Sequence, residues 1–172
     1  IVWQPGVVPA GTECRELATT MDLLPTLALL AGGAAPTDRV IDGQDIRSLI
    51  RGATDASTPY EAFYYYAEDQ LQAVRSGPWK LFVPLRAPLR HPHFTPHGSD
   101  RPLLFDVVKD VGCRHDVAAD HPDIVARLTN LAAAARRDLG DQGRPGSGQR
   151  LPGKLAAATA RTLAETRPPD AP

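Results

Sequence analysis

One stretch near the start of the chain constrains the fold more than any other, because it predicts a helix that cannot be stable alone. Residues 19–32 read TTMDLLPTLALLAG, in which Leu23, Leu27 and Leu30 recur at helical spacing as one apolar stripe. Threonine and aspartate residues before the stripe can cap the helix. Pro25 is tolerated only in the first turn of a helix, which places the start of this helix near Asp22. An isolated helix of about three turns is marginal in water. The stretch must therefore lie against a larger sheet or core.

The segments on either side of this helix predict further pieces of an α/β layer. Residues 1–4 (IVWQ) are typical of the end of a buried strand, and a Pro-Gly turn follows them. After the helix, residues 42–45 (DGQD) predict a turn that caps a short helix over residues 46–50. That turn has oxygen ligands and a glycine, but it lacks the closing glutamate of an EF-hand loop. A helix cap is therefore favoured over a calcium site.

Aromatic and β-branched residues predict an antiparallel sheet in the middle of the chain. They concentrate in four segments, at residues 63–66, 72–75, 79–83 and 103–107. A Gly-Pro pair between the second and third segments predicts a hairpin. Because a two-stranded hairpin alone is barely stable in water, we expect the last strand to join the same sheet and a helix to cover one face.

The covering helix is predicted to begin at Pro122, where a cap precedes it and an acidic residue suits the positive end of the helix dipole. Apolar residues then follow at helical spacing as far as Ala135. From residue 141 onward, glycines and prolines break the periodicity, and residues 154–166 predict at most a weak alanine-rich helix.

The charge balance argues against two classes of partner that bulk charge would attract. Nineteen Lys and Arg residues against 20 Asp and Glu residues give a formal net charge of −1, which argues against a nucleic-acid or membrane-surface partner. No apolar run reaches transmembrane length, and the first residues do not have the pattern expected of a signal peptide. The chain begins with Ile1 instead of methionine, which we interpret as a processed or truncated piece. Cys14 and Cys113 are expected to be free thiols, and the cysteine count leaves the compartment undecided.

A series of short motifs resembles the type I, arylsulfatase-like sulfatases of the alkaline phosphatase superfamily. Each motif is weak alone, but their number, order and spacing are specific, and the resemblance covers residues 1–154. One departure is a turn in which Val111 and Cys113 replace the proline and glutamate of the family's Asp-Pro-Gly-Glu. The matching motifs are Trp3-x-Pro5-Gly6, Met21-Asp22-x-x-Pro25-Thr26, Ile41-Asp42-Gly43, Val74-Arg75-x-Gly77-x-Trp79-Lys80-Leu81, Leu104-Phe105-Asp106 and His121-Pro122.

The resemblance implies that this chain is the C-terminal portion of a sulfatase fold. That portion comprises the last strand and helix of the main α/β domain, then a small antiparallel sheet packed on a long helix. We accordingly divide the chain into residues 1–55 of the main domain, a sheet-and-helix subdomain at 56–140, and a largely irregular Pro/Gly/Ala-rich tail at 141–172.

The resemblance also implies sulfuric ester hydrolysis by the parent enzyme, with parts that this chain lacks. Type I sulfatases use a formylglycine made from the cysteine of Cys-x-Pro-x-Arg, and a calcium ion held by acidic residues. Neither Cys14 nor Cys113 lies in such a motif. We therefore assign no catalytic residue and no metal ligand here, expect a missing N-terminal sulfatase domain as the partner, and predict that the chain alone is inactive.

Five side chains are candidates for the edge of a substrate cleft. Arg75 and Lys80 can reach an anionic substrate, and His91, His93 and His97 place three imidazoles within seven residues. Three imidazoles can also bind a transition metal, but without carboxylate or thiolate neighbours, and between prolines, a loop is favoured. Stacking on a sugar or aryl group is a possible role for the tyrosines at 64–66, although strand alternation requires one or two of them in the core.

Two other functions remain open at this point. The first is the tail of a phosphate or phosphonate ester hydrolase of the same superfamily, because this portion does not contain the attacking atom. The second is a free-standing, non-catalytic binding module, which would need a closed core of its own. The sequence does not show whether the parent's substrate is an aryl, choline or carbohydrate sulfate.

Overall fold

The structure is a computed structural model that describes residues 1–85 and 100–150. A 3₁₀ turn at Thr20–Asp22 leads directly into the first helix. The helices are α1 (Leu23–Leu30), α2 (Arg47–Ile50) and α3 (Pro122–Leu139). The strands are β1 (Phe63–Ala67), β2 (Gln70–Ser76), β3 (Trp79–Phe82), β4 (Leu103–Asp106), β5 (Gly140–Asp141) and β6 (Arg144–Pro145).

The first four strands form one antiparallel sheet in the order β1-β2-β3-β4. The predicted hairpin is confirmed: Val74 of β2 pairs with Leu81 of β3, and Leu81 in turn pairs with Leu104 of β4. A bulge between Tyr65 and Tyr66 shifts the register of β1 against β2. A small antiparallel sheet beside a long helix is the architecture that the sequence predicted for the subdomain.

Helix α3 covers one face of this sheet, as expected. Its fully buried Leu128 contacts Leu81 and Leu104 of the sheet, and Ala132 packs into a neighbouring cluster around Val74. The opposite face carries a separate cluster of Ala73, Phe82 and Phe105, against which Tyr65 and Cys113 pack. Strand alternation thus divides the apolar side chains between two layers.

Residues 1–4 are not a strand, and that prediction is wrong. They have no regular structure, and Ile1, Val2 and Trp3 are all exposed, Trp3 by 83%. A strand needs a neighbour to accept and donate its backbone hydrogen bonds, and none of the described residues pairs with this segment.

Helix α1 starts and ends where the sequence predicted, but its polar side holds it in place. Leu23, Leu24 and Leu27 are exposed by 50%, 55% and 58%. Asp22 and Thr26 are fully buried instead. The Thr26 hydroxyl donates to the carbonyl of residue 44 at 3.3 Å and accepts the N–H of residue 46 at 3.1 Å. Within the described part of the chain, the stripe is therefore exposed at Leu23 and Leu27 and only partly buried at Leu30.

Residues 140–150 wrap around the C-terminal end of α3. The Tyr66 hydroxyl donates to the Gly140 carbonyl at 2.9 Å, and Asp141 accepts the Leu71 N–H at 2.9 Å and pairs with Arg136 at 2.6 Å. The predicted division at residue 140 stays a prediction, but these bonds tie Asp141, the first residue of the predicted tail, to the sheet and to α3. The alanine-rich segment at 154–166 lies outside the described residues.

Candidate functional site

Two of the five predicted site residues lie side by side on the sheet. Arg75 of β2 and Lys80 of β3 are directly opposite each other in the antiparallel register. Phe63 of β1 lies beyond Arg75, and Phe105 of β4 lies beyond Lys80. One row across the four strands therefore reads phenylalanine, arginine, lysine, phenylalanine, on the face opposite α3.

Aromatic rings hold the lysine of this row. The Lys80 ammonium nitrogen lies 4.2 Å from the centre of the Tyr65 ring and 4.7 Å from that of Phe82. Both separations fall in the range of cation–π attraction. Tyr65 meets Phe63 edge to face at 4.9 Å, so the rings next to the cation also support one another.

Burial lowers the pKa of Lys80, because the half-buried ammonium loses hydration, and the nearby positive charge of Arg75 lowers it further. Burial also raises the pKa of Cys113, which packs on the same face. Both effects favour the neutral forms of these groups. Cys14 and Cys113 are free thiols, as expected from the sequence.

The remaining predicted site residues divide into two groups. His91, His93 and His97 lie outside the described residues, so the loop interpretation stays a prediction. Among the tyrosines, Tyr64 and Tyr66 pack into the α3 side of the sheet, and only Tyr65 lies on the Arg75 face. The expectation that one or two of them belong to the core is therefore confirmed.

Residues 42–45 have no regular structure and precede α2 without forming its predicted cap, since the N-cap is Ile46 and makes no side-chain cap hydrogen bond. Asp45 accepts the Arg47 N–H at 3.0 Å and forms an ion pair with its side chain at 2.8 Å. Across residues 1–85 and 100–150, no three histidine, cysteine or acidic side chains come together as a potential metal site.

Sequence reasoning missed the buried cluster around Asp22. This carboxylate accepts the Thr19 N–H at 2.6 Å, the Gln44 N–H at 2.8 Å and the Tyr60 hydroxyl. The cluster joins three separate segments of the chain. An aspartate placed before an apolar helix reads as a cap, and no periodic signal reveals its distant partners.

Comparison with known proteins decides the family. The model of a family described as the C-terminal region of aryl-sulfatase matches residues 58–146, more than half of the 172-residue chain. The chain belongs to the sulfatases. Its matched region begins just before β1 and ends just after β6, so it includes both sheets and helix α3.

Relatives extend the match to the N-terminal part of this sulfatase chain. Steryl-sulfatase of Rattus norvegicus is 35% identical over 159 residues, which cover 79% of this chain and 27% of that protein. N-acetylgalactosamine-6-sulfatase of Canis lupus familiaris is 42% identical over 80 residues, or 46% of this chain and 15% of its own length. The chain thus spans about a quarter of the length of the steryl-sulfatase that it matches.

Solved structures agree with the fold. One from work on the metabolism of multiple glycosaminoglycans by Bacteroides thetaiotaomicron has a TM-score of 0.50 and 25% identity, covering 67% of this chain and 24% of that chain. The crystal structure of Ps i-CgsB has a TM-score of 0.55 over 76% of this chain and 26% of its own, at 21% identity, which supports the fold alone. The chain is accordingly the C-terminal region of a sulfatase, and the reading as an unrelated binding module is not supported.

Proposed function

We propose that this chain completes an enzyme that hydrolyses sulfuric esters. The observation that carries the proposal is the 35% identity to steryl-sulfatase over 79% of the chain, combined with a family match to the C-terminal region of aryl-sulfatases. The substrate is accordingly a sulfate ester. The names of the relatives include a steroid and an N-acetylgalactosamine substrate, and both are ring compounds.

The chemical groups that cleave the ester are proposed to lie in another part of the parent enzyme. Formylglycine and calcium are implied by the family, but neither cysteine here has the proline and arginine of the Cys-x-Pro-x-Arg motif. The described residues gather no acidic group suited to calcium. When bound, the ion would polarise the sulfate oxygens. This chain would contribute a rigid sheet, helix α3 and the Arg75 face.

The missing N-terminal sulfatase domain is proposed as the partner of the exposed apolar surface. Trp3, Leu24 and Leu27 are exposed by 83%, 55% and 58%, and contiguous apolar patches are typical of interaction sites. Helix α1 presents two of them on adjacent turns, and its polar side is already bonded to residues 44 and 46. The leucine face is therefore the side available to another domain. No described helix has the length and apolar character needed to cross a membrane.

Hydrolysis by three forms of the protein tests the proposal. The protein encoded by the complete gene should release sulfate from 4-nitrophenyl sulfate, and it should lose that activity when residues 1–172 are removed. The 172-residue chain alone should be inactive. 4-Nitrophenyl phosphate serves as the comparison substrate: faster turnover of the phosphate than of the sulfate by the complete protein would contradict the proposal and favour a phosphate ester hydrolase.

A further inference from the structure

We propose that Arg75 and Lys80, together with the aromatic rings of Phe63 and Tyr65, bind an anionic group carried on a ring. The group is a sulfate or carboxylate of the substrate other than the ester that is cleaved, on a sugar or aryl ring. This inference rests on the proposed function and deepens it by naming the class of substrate, a ring compound with a second negative charge.

The strand register places two positive charges directly opposite each other. Arg75 and Lys80 are Cα partners of β2 and β3, and their side chains share the face opposite α3. Like charges at directly opposed positions of an antiparallel pair destabilise the sheet. Such a pair is expected where something else compensates the repulsion.

No carboxylate among the described residues provides that compensation. The ion pairs of the described residues involve other arginines, one lysine and one histidine, and neither Arg75 nor Lys80 takes part in one. Among the described residues, the Arg75 side chain makes one hydrogen bond, a long one of 3.3 Å from Nε to the Gly77 carbonyl. Its terminal guanidinium nitrogens are therefore available to a ligand, and a guanidinium can bind sulfate or carboxylate through two parallel hydrogen bonds.

The aromatic frame explains why the ligand should carry a ring. The Lys80 ammonium lies within 4.7 Å of the ring centres of Tyr65 and Phe82, and these contacts restrict the conformations of the lysine side chain. Phe63 and Tyr65 are each only partly buried and meet edge to face at 4.9 Å beside the two cations. A ligand ring can stack on such a partly exposed protein ring while the anionic group of the ligand contacts the neighbouring cation. Burial lowers the pKa of Lys80, as expected for a cation that lacks a counter-ion.

A binding experiment on the 172-residue chain tests the inference without requiring turnover. Three probes separate the parts of the site: phenyl sulfate has a ring and an anion, inorganic sulfate has the anion alone, and phenyl glucoside has the ring alone. Binding is measured by NMR at constant ionic strength, through the side-chain signals of Lys80 and Arg75. We expect saturable binding of phenyl sulfate, weaker binding of inorganic sulfate, and no binding of phenyl glucoside at the same concentrations.

Charge-removing variants identify the residues. Arg75→Gln and Lys80→Gln should each weaken phenyl sulfate binding by at least about tenfold, as for the loss of a charged hydrogen-bond partner. Arg15→Gln is the matched control, because Arg15 is 78% exposed and its ion pair within the described residues is with nearby Glu13. It should leave the affinity unchanged. If a glutamine variant does not fold, Arg75→Lys and Lys80→Arg replace it, because they keep the positive charge and change only the shape of the cationic group. Each should weaken phenyl sulfate binding, but by less than about tenfold.

Several results would overturn the inference. The first two are the absence of saturable phenyl sulfate binding by the folded chain and ligand-induced shifts centred away from Lys80 and Arg75. A third is equal binding by the wild type and both glutamine variants. Equal affinity for phenyl sulfate and inorganic sulfate would also contradict the inference, because the ring would then contribute nothing to binding. Sulfate ester hydrolysis by the complete enzyme is measured separately. Its presence alongside a negative binding result would refute this site and leave the proposed function intact.

Discussion

Asp22 illustrates, at the scale of single residues, how one carboxylate can fix the path of a chain. Burial by itself raises the pKa of Asp22, but hydrogen bonds from the Tyr60 hydroxyl and from the backbone N–H groups of Gln44 and Thr19 outweigh it. The pKa therefore lies below its ordinary value. A carboxylate whose folded-state pKa is lowered contributes stability above its unfolded-state pKa of about 3.9, and that stability is lost as the pH falls through the folded-state value.

Replacing Asp22 by asparagine should destabilise the chain by about 1–3 kcal/mol at neutral pH, because a neutral amide cannot accept from three donors as the carboxylate does. Urea unfolding at pH 7 measures the loss. Asp38→Asn is the control, since Asp38 is exposed and its side-chain partner in the described part of the chain is its neighbour Arg39. The difference between the wild type and Asp22→Asn should shrink as the pH falls below about 4. A difference that stays constant with pH would contradict the assigned role of the charge.

Gly43 is a second residue whose identity is set by close packing. A Cβ at this position would lie 2.0 Å from the Met21 carbonyl oxygen and 3.0 Å from the Asp22 nitrogen, both backbone atoms that cannot move aside alone. Gly43→Ala should therefore cost about 1–3 kcal/mol in the free energy of unfolding. In Gly112→Ala the new Cβ would meet only the flexible side chain of Arg114, at 3.2 Å. Thermal melting should show little change in that control, and equal melting of both variants would disprove the close approach.

At the scale of elements, a helix or strand was predicted correctly where the element that packs against it also lies in the described chain. Strands β2, β3 and β4 and helix α3 each carry their own apolar periodicity, and each packs on another of them. Residues 1–4 have the composition of a strand but no neighbouring strand to bond, so pattern alone misled the prediction. The sequence also did not predict which side of α1 is buried. The apolar pattern indicated the leucine side, but Asp22 and Thr26 are buried instead, where they accept hydrogen bonds from distant backbone N–H groups.

The candidate site was only partly predictable for a similar reason. Arg75 and Lys80 were identified by residue type, but their placement opposite each other depends on the β2–β3 register. Three consecutive tyrosines give no clue to which one shares that face. The bulge between Tyr65 and Tyr66 then breaks the simple alternation.

The packing of α3 on the sheet can be measured with one truncation. Leu128→Ala removes a fully buried side chain that contacts Leu81 and Leu104, so it should cost about 2–5 kcal/mol. Leu139→Ala is a matched change on the same helix, where the side chain is 41% exposed, and should cost less than about 1 kcal/mol. Chemical denaturation of both variants gives the comparison. A Leu128→Ala cost no larger than that of the control would mean that the helix does not cover the sheet.

At the scale of the whole molecule, the two halves of the described chain have different ways of covering their apolar groups. The sheet and α3 bury Leu71, Leu81, Leu104 and Leu128 completely. The first 30 residues leave Trp3, Leu23, Leu24 and Leu27 exposed. The chain spans 27% of steryl-sulfatase, and the N-terminal domain proposed above would cover these side chains.

The isolated 172-residue chain should therefore self-associate through α1. Leu24 and Leu27 lie on adjacent turns of that helix and are exposed by 55% and 58%, so two copies can bury these side chains against each other. Analytical ultracentrifugation should show a concentration-dependent rise in mass that Leu24→Gln with Leu27→Gln reduces. The control pair, Val108→Gln with Val111→Gln, replaces two turn residues exposed by 53% and 82% and should leave association unchanged. A wild-type chain that stays monomeric at all concentrations would contradict the assignment of α1 as a docking surface. The exposed leucine side chains would then not drive association.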